Sequence, residues 1–256
     1  TNGQPGVPAT GGTLKITSNV TIDPASIGGQ IQLNQGGGTM DTNGNNLTVN
    51  AIVNGFGQLT KTGAGEIALY GNNQYTGGTV IASGIVTVDS EYSLGAHVAG
   101  NDVTFYADSN GSDPVLKIAQ NITYAIIDPQ SKVILTTDGT VDTNGFTATI
   151  AGTITGAGQF NKIGAGTLIL TGNNNYTGVT NINEGTLQIG NGGTTGNITS
   201  NVIMASGVDA ALVFDRQGQF AYGGAIAGDG TTKLVQQGAG RLDLIGNTNA
   251  FAGDIY

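Results

Sequence analysis

The sequence predicts an all-β protein, a right-handed parallel β-helix of roughly 11–12 rungs. Three observations carry that prediction. Residues 38–88 align with 139–189 at a constant offset of 101, without gaps. Short apolar runs inside each copy alternate with period two. Gly, Asn and Asp separate these runs, and Gly alone is 45 of 256 residues.

The duplication is the primary signal. GTMDTNG (38–44) matches GTVDTNG (139–145), and GFGQLTKTGAG (55–65) matches GAGQFNKIGAG (156–166). Apolar positions correspond as well: Val49 with Ile150, Leu59 with Phe160, Ile67 with Leu168, and Leu69 with Leu170. The flank TLKITSNVT (13–21) resembles VLKIAQNIT (115–123). A third, partial unit covers 209–256 and carries GDGTTKLVQQGAGRLDL (228–244). In TLILTG, Leu168 and Leu170 face one way and Ile169 the other, the alternation of a half-buried strand. TLILTG and TLQIG start 19 residues apart, the spacing of a solenoid coil with short strands on its sides. Gly supplies bends with positive φ, and Asn tolerates the same conformations while hydrogen-bonding along the stack. A β-sandwich explains the short strands but not the ungapped duplication. The whole chain, 1–256, reads as one β-helix segment and as a fragment of a longer chain, because the third unit stops in mid-motif at Tyr256.

Composition narrows the function. Net charge is −9 with only 8 Lys and Arg, scattered along the chain, which argues against nucleic acid and anionic membranes as partners. With 0 cysteines there are no disulfides, no thiol catalysis and no Cys-ligated zinc. The opening TNGQPGVPATGG has neither the charged start nor the apolar run of a signal peptide. No apolar stretch reaches the ~18–20 residues that a membrane helix needs.

The sets of residues that carry chemistry are thin. The glycine phrases GAGQFN, GAGTLI and GDGTTK lack the third Gly of a dinucleotide fingerprint, precede strands, and have no Gly-Lys-Ser/Thr. They read as bends. His97, the single histidine, lies in SLGAHVAG with no Gly-x-Ser-x-Gly elbow in the chain, and reads as a loop residue. Asp41 and Asp142 belong to the duplicated Asp-Thr-Asn-Gly turn. Asp108, Asp113 and Asp128 lie in one segment between repeats, and Asp209, Asp215 and Asp229 in another, with no Asp-x-Asp pair among them. Tyr75, Tyr176 and Phe251 recur in register and are expected to pack at a rung edge. Lys61 and Lys162 are expected to face solvent beside a strand. Six Asn-x-Ser/Thr sequons, at Asn19, Asn46, Asn110, Asn121, Asn175 and Asn197, follow from a composition rich in Asn and Thr.

The phrase GAGQFNKIGAGTLILTGNNNYTGVTNINEGTL (156–187) resembles the autotransporter-associated β-strand repeat. It departs at Phe160, where the family has Leu. The first copy departs at Glu66 and Ala82-Ser83. The third has Gln236 in place of the Lys and Phe251 in place of the Tyr, with one inserted residue. The resemblance implies the passenger of a type V secreted protein of Gram-negative bacteria, an extracellular or cell-surface β-helix exported through an outer-membrane barrel. It implies an adhesin, a host-contact ligand or a display stalk, without enzymatic activity, cofactor or metal. Expected partners are a host-cell receptor or glycan, or other passengers. A carbohydrate-active β-helix enzyme and a self-associating spacer are the alternatives. Binding surfaces are expected in the irregular segments 89–115 and 190–209.

Overall fold

The computed structural model describes residues 11–109, 112–247 and 250–256. Every named strand pairing among them is parallel. The chain winds through three faces per coil. The second face is an unbroken 11-stranded sheet from Val20–Ile22 to Ala250–Phe251, one strand per coil, so the described residues form eleven coils. At ~4.8 Å per coil the rod is roughly 50 Å long.

The first face holds a 7-stranded sheet from Gly12–Lys15 to Thr153–Gly156, continued at the far end by Gln219–Tyr222 paired with Arg241–Leu244. The third face begins with Ile31–Leu33 paired with Val53–Gly55 and ends in a 7-stranded sheet from Ala125–Ile127 to Asp254–Ile255. The one helix among the described residues is a single turn, Pro24–Ile27, closed by Gly28 at φ 71°.

Alternation builds the core as predicted. Thr167–Leu170 buries Leu168 and Leu170 and leaves Thr167 and Ile169 half-buried. Inward residues stack in columns from coil to coil. Leu47, Ile67, Val86, Leu116 and Val141 form one such column on the second face. Each fully buried Leu or Ile contributes about 1.5–3 kcal/mol relative to exposure, so the columns hold the coils together.

Where a face lacks a named strand, the repeat phrase itself fills it. Residues 71–78 lie on the third face, with Gln74 N–H bonded to Val53 O at 2.8 Å and Thr76 N–H to Gly55 O at 3.0 Å. Their counterparts, 172–179, lie on the first face, with Asn175 N–H on Ile154 O and Thr177 N–H on Gly156 O, both at 2.9 Å. The shift is general. Leu59–Thr62 sits on the first face, its equivalent Phe160–Ile163 on the second, and Lys233–Gln236 on the third. The offset of 101 residues spans four coils and one further face, about 23 residues per coil. Successive copies of the repeat therefore wind around the rod by one face each.

Candidate functional site

Conserving a phrase on three different faces requires that its internal bonds travel with it. In the Asp-Thr-Asn-Gly turns, Asp41 Oδ1 accepts from Asn43 N–H at 2.9 Å and Asp142 Oδ1 from Asn144 N–H at 2.7 Å. Asn43 and Asn144 take φ of 48° and 50°, the left-handed region that Asn tolerates. Both aspartates are turn-formers, as expected.

The two lysines overturn the expectation of solvent exposure. Lys61 and Lys162 are fully buried. Each occupies an inward column, Lys61 between Met40 and Ile81, and Lys162 between Val141 and Ile182. The reason is parity: Lys61 is two residues from Leu59 on one strand, so it faces the core with it. The ammonium group is satisfied by main-chain oxygens. Lys61 Nζ donates to Thr62 O (3.0 Å), Gly63 O (2.6 Å) and Ser83 O (2.9 Å). Lys162 Nζ repeats the set with Ile163 O (3.1 Å), Gly164 O (2.6 Å) and Glu184 O (2.9 Å). In the third copy Gln236 Nε2 fills the same cage, donating to Gly238 O at 2.8 Å and Gly240 O at 2.9 Å. The next coil must come close enough to close the cage: a Cβ on Gly84 would sit 2.5 Å from the Gly63 oxygen and 2.8 Å from Lys61 Nζ. Burial pushes Lys61 down to about 8, opposed by Asp41 and Asp108. Lys162 is also pushed down to about 8 by burial, opposed by Asp142 and Glu184.

Asn73 and Asn174 tie three coils together. Asn73 Oδ1 accepts from Val53 N–H at 2.8 Å, and its Nδ2 donates to Ser93 O at 2.8 Å. Asn174 does the same with Ile154 N–H and Asn197 O, each at 2.8 Å. Tyr75 and Tyr176 pack as expected but deep in the core instead of at an edge, with hydroxyls bonded to Thr79 Oγ1 at 2.6 Å and Thr180 Oγ1 at 2.5 Å. Thr180 Oγ1 passes the bond to Ser200 Oγ at 2.6 Å. Phe251 is half-buried against the same core.

His97 sits in the segment 89–115 that sequence reasoning singled out. Tyr92 stacks on its ring with centroids 4.8 Å apart. Its Nε2 lies 2.8 Å from Glu91 O, and its Nδ1 3.8 Å from Asp128 Oδ2. Ser131 borders the same cleft, but its hydroxyl donates to Val98 O at 3.1 Å. The cleft between them has about 10 Å³ of free volume, room for one water at most. The serine and histidine are thus each engaged with a backbone carbonyl. Asn101 stiffens the loop, accepting from Gly78 N–H at 2.9 Å and donating to Leu94 O at 2.9 Å and Ala96 O at 2.8 Å.

Asp108, Asp209, Asp215 and Asp229 serve turns and pairs, and Asp113 is exposed. Asp229 accepts from Thr231 N–H (2.9 Å), Thr231 Oγ1 (2.6 Å) and Gly207 N–H (3.0 Å), bonds that lower its pKa. Asp209 pairs with Lys233 at 2.7 Å. Asp215 Oδ2 accepts from Gln188 Nε2 at 3.4 Å, and Asp108 Oδ2 from Ser83 Oγ at 3.3 Å. Among the described residues no three His, Cys, Asp or Glu groups converge on a metal site. In the segment 190–209, Arg216 pins the loop through Gly196 O and through Thr194 O at 2.6 Å, and stacks over Phe220 at 4.3 Å. Sequon residues Asn19, Asn46 and Asn121 accept from the backbone N–H of Asn46, Glu66 and Thr147 at 2.9, 3.3 and 2.9 Å. Asn110 lies outside the described residues. A cavity of about 570 Å³ opens at the first coil among Leu14, Ile27, Ile31, Leu33 and Met40, and no titratable group lines it among the described residues. No described helix is long and apolar enough to cross a membrane.

Comparison with known proteins places this scaffold. The passenger-associated-transport-repeat family matches residues 59–88, 160–189 and 234–255, one match for each face of the winding repeat. Adhesin BmaC autotransporter of Brucella suis biovar 1 (strain 1330) is 39% identical over 185 residues, 72% of this chain and 5% of that protein. An extracellular serine protease of Serratia marcescens is 41% identical over 46 residues, 18% of this chain and 4% of that protein. The chain thus spans about a twentieth of the length of these relatives. No solved structure matches it. Because two of the matched repeats each carry the lysine clamp and the asparagine ladder of a parallel solenoid, the third carries the glutamine form of the clamp, and 185 residues align with part of an autotransporter adhesin, the chain belongs to the autotransporter passengers built on passenger-associated-transport repeats.

Proposed function

We propose that this segment is an extracellular, cell-surface rod that presents adhesive surface to a host cell and performs no catalysis itself. The similarity of 72% of the chain to part of a protein named as an adhesin carries this reading. The winding of the repeat supports it. A repeat that moves to a new face in each copy offers no one-sided row of identical ligand sites, so its constant bonds serve the wall. Contact with a partner then falls to residues that differ between coils. The arrangement of His97, Asp128 and Ser131 favours the same view over the protease relative, since the hydroxyl and the imidazole are held by carbonyls of Val98 and Glu91.

The test is display of this segment on a bacterial surface through an outer-membrane barrel. Attachment to epithelial monolayers is expected to exceed that of cells carrying the barrel alone, and equal attachment would overturn the proposal. Incubation with casein and with acidic polysaccharides is expected to release neither peptides nor reducing or unsaturated ends.

A further inference from the structure

One edge of the rod differs from the others. Between the second and third faces, the third, fourth and fifth coils each turn a tyrosine outward: Tyr70, Tyr92 and Tyr124 are 40%, 41% and 67% exposed. The three coils stack in register on the second face, with Leu69 beside Val88 and Val88 beside Ile118, so the turns that follow these strands lie one above another. Tyr92 is held flat by His97, and its carbonyl accepts from Asn73 N–H at 3.2 Å. Gln120 and Asn121 expose side chains along the same turns, and Asn72 does so at the adjoining end of the third face. Glu66 and Asp89 stand close enough to Tyr70 to help burial raise its hydroxyl pKa. Glu91 and Asp128 flank Tyr92 and His97. Tyr70 and residues 89–94 and 119–124, which lead from the second face to the third, contain no Lys or Arg. Farther along the same edge, Ala165, Glu184, Gly185, Val208 and Asp209 enclose a cleft of about 320 Å³.

We infer that this edge is a binding strip for a neutral or amino-sugar oligosaccharide. The inference rests on the adhesin reading and names the ligand class that reading leaves open. Three physical arguments select a glycan. Exposed tyrosine rings stack on the apolar face of a pyranose, while the surrounding amides and carboxylates meet its hydroxyls. Coils repeat every ~4.8 Å, close to the rise of a sugar unit, so an extended chain laid along the edge keeps meeting equivalent turns. The carboxylates and the lack of basic residues disfavour sulfated or uronic chains. A peptide adding as a strand is disfavoured on the second face, whose strands along this stretch are paired on both sides.

The experiment titrates the whole chain with tetramers of glucose, glucosamine and N-acetylglucosamine, and separately with a heparin tetrasaccharide and a lysine-rich peptide. Calorimetry and tyrosine-ring NMR shifts provide the readout. Saturable binding to at least one neutral or amino-sugar tetramer is expected. Tyr92→Ala and Tyr124→Ala should each weaken it about tenfold, whereas Phe56→Ala, on the edge between the third and first faces, should leave it unchanged. Unfolding midpoints of the variants confirm that they fold. No binding to any of the three tetramers overturns the inference. So does binding that survives the Tyr92→Ala/Tyr124→Ala double substitution, and so does tyrosine-dependent binding of heparin or the peptide alone. The displayed double variant separates the two readings: if it still attaches to cells, the strip is wrong and the adhesin stands, while loss of attachment along with tetramer binding supports both.

Discussion

The Lys162 ammonium donates at 2.9 Å to the carbonyl oxygen of Glu184, one coil farther along, while it also holds Ile163 O and Gly164 O in its own coil. A buried charge thereby staples adjacent coils through main-chain oxygens. Lys162→Met keeps the volume but leaves those carbonyls short of a donor, and is expected to cost about 2–4 kcal/mol. Lys162→Gln should cost clearly less, because Gln236 already fills the equivalent cage through Gly238 O and Gly240 O. Urea unfolding of both variants checks this; equal losses would mean the cage wants a charge and not a donor.

The clamp and the buried tyrosines predict an uncommon pH profile. Lys61 and Lys162 titrate near 8 when folded and near 10.5 when unfolded. Between these values the unfolded chain holds more protons, so stability rises with pH from about 8 upward. Burial raises the hydroxyl pKa of Tyr75, Tyr176 and Tyr222 above the ordinary 10.0. Above about 10 the unfolded chain sheds tyrosine protons that the folded chain keeps, and stability falls. Unfolding midpoints from pH 7 to 11 should pass through a maximum near 10. The rise below 10 should vanish in the Lys61→Met/Lys162→Met variant, and its persistence there would place its origin elsewhere.

The fold was legible because period-two alternation and a gapless repeat are local signals. Leu168 and Leu170 went where parity put them. Parity also placed Lys61 beside Leu59 on the inward side, yet the high desolvation cost of an ammonium argued for solvent. What the sequence hid was the cage of carbonyls, since backbone oxygens leave no trace in residue identity. The winding of the repeat was hidden too, because turns of different length decide on which face each copy lands. The tyrosine edge escaped for the same reason: Tyr70, Tyr92 and Tyr124 fall at unequal spacings, 22 and 32 residues, which no periodicity search joins.

Within Asn173-Asn174-Asn175 only the middle residue is buried. Asn174 serves Ile154 N–H and Asn197 O and so bridges three coils. Asn174→Ala is expected to cost about 2–3 kcal/mol, because it strands a buried donor and a buried acceptor. Asn175→Ala should stay within about 0.5 kcal/mol as an exposed substitution. Thermal unfolding of the pair tests the ladder; similar costs would show that position in the phrase, and not bridging, sets the penalty.

The winding of the repeat gives a distance that a stacked repeat would not. Gln74 and Asn175 are equivalent across the offset of 101 and both are exposed, but Gln74 bonds to the third face and Asn175 to the first. Ile169, on the third face, stands four coils from Gln74, so spin labels on that pair should lie ~19 Å apart. Labels on Gln74 and Asn175 are separated by a similar axial distance plus the sideways step to the next face. With a face of about five extended residues, roughly 17 Å wide, that pair should read roughly 27 Å. Pulsed dipolar measurements on the two doubly labelled proteins decide the matter. If both pairs give the same distance, the copies stack on one face; a longer Gln74–Asn175 distance means that each copy turns its exposed residues in a new direction.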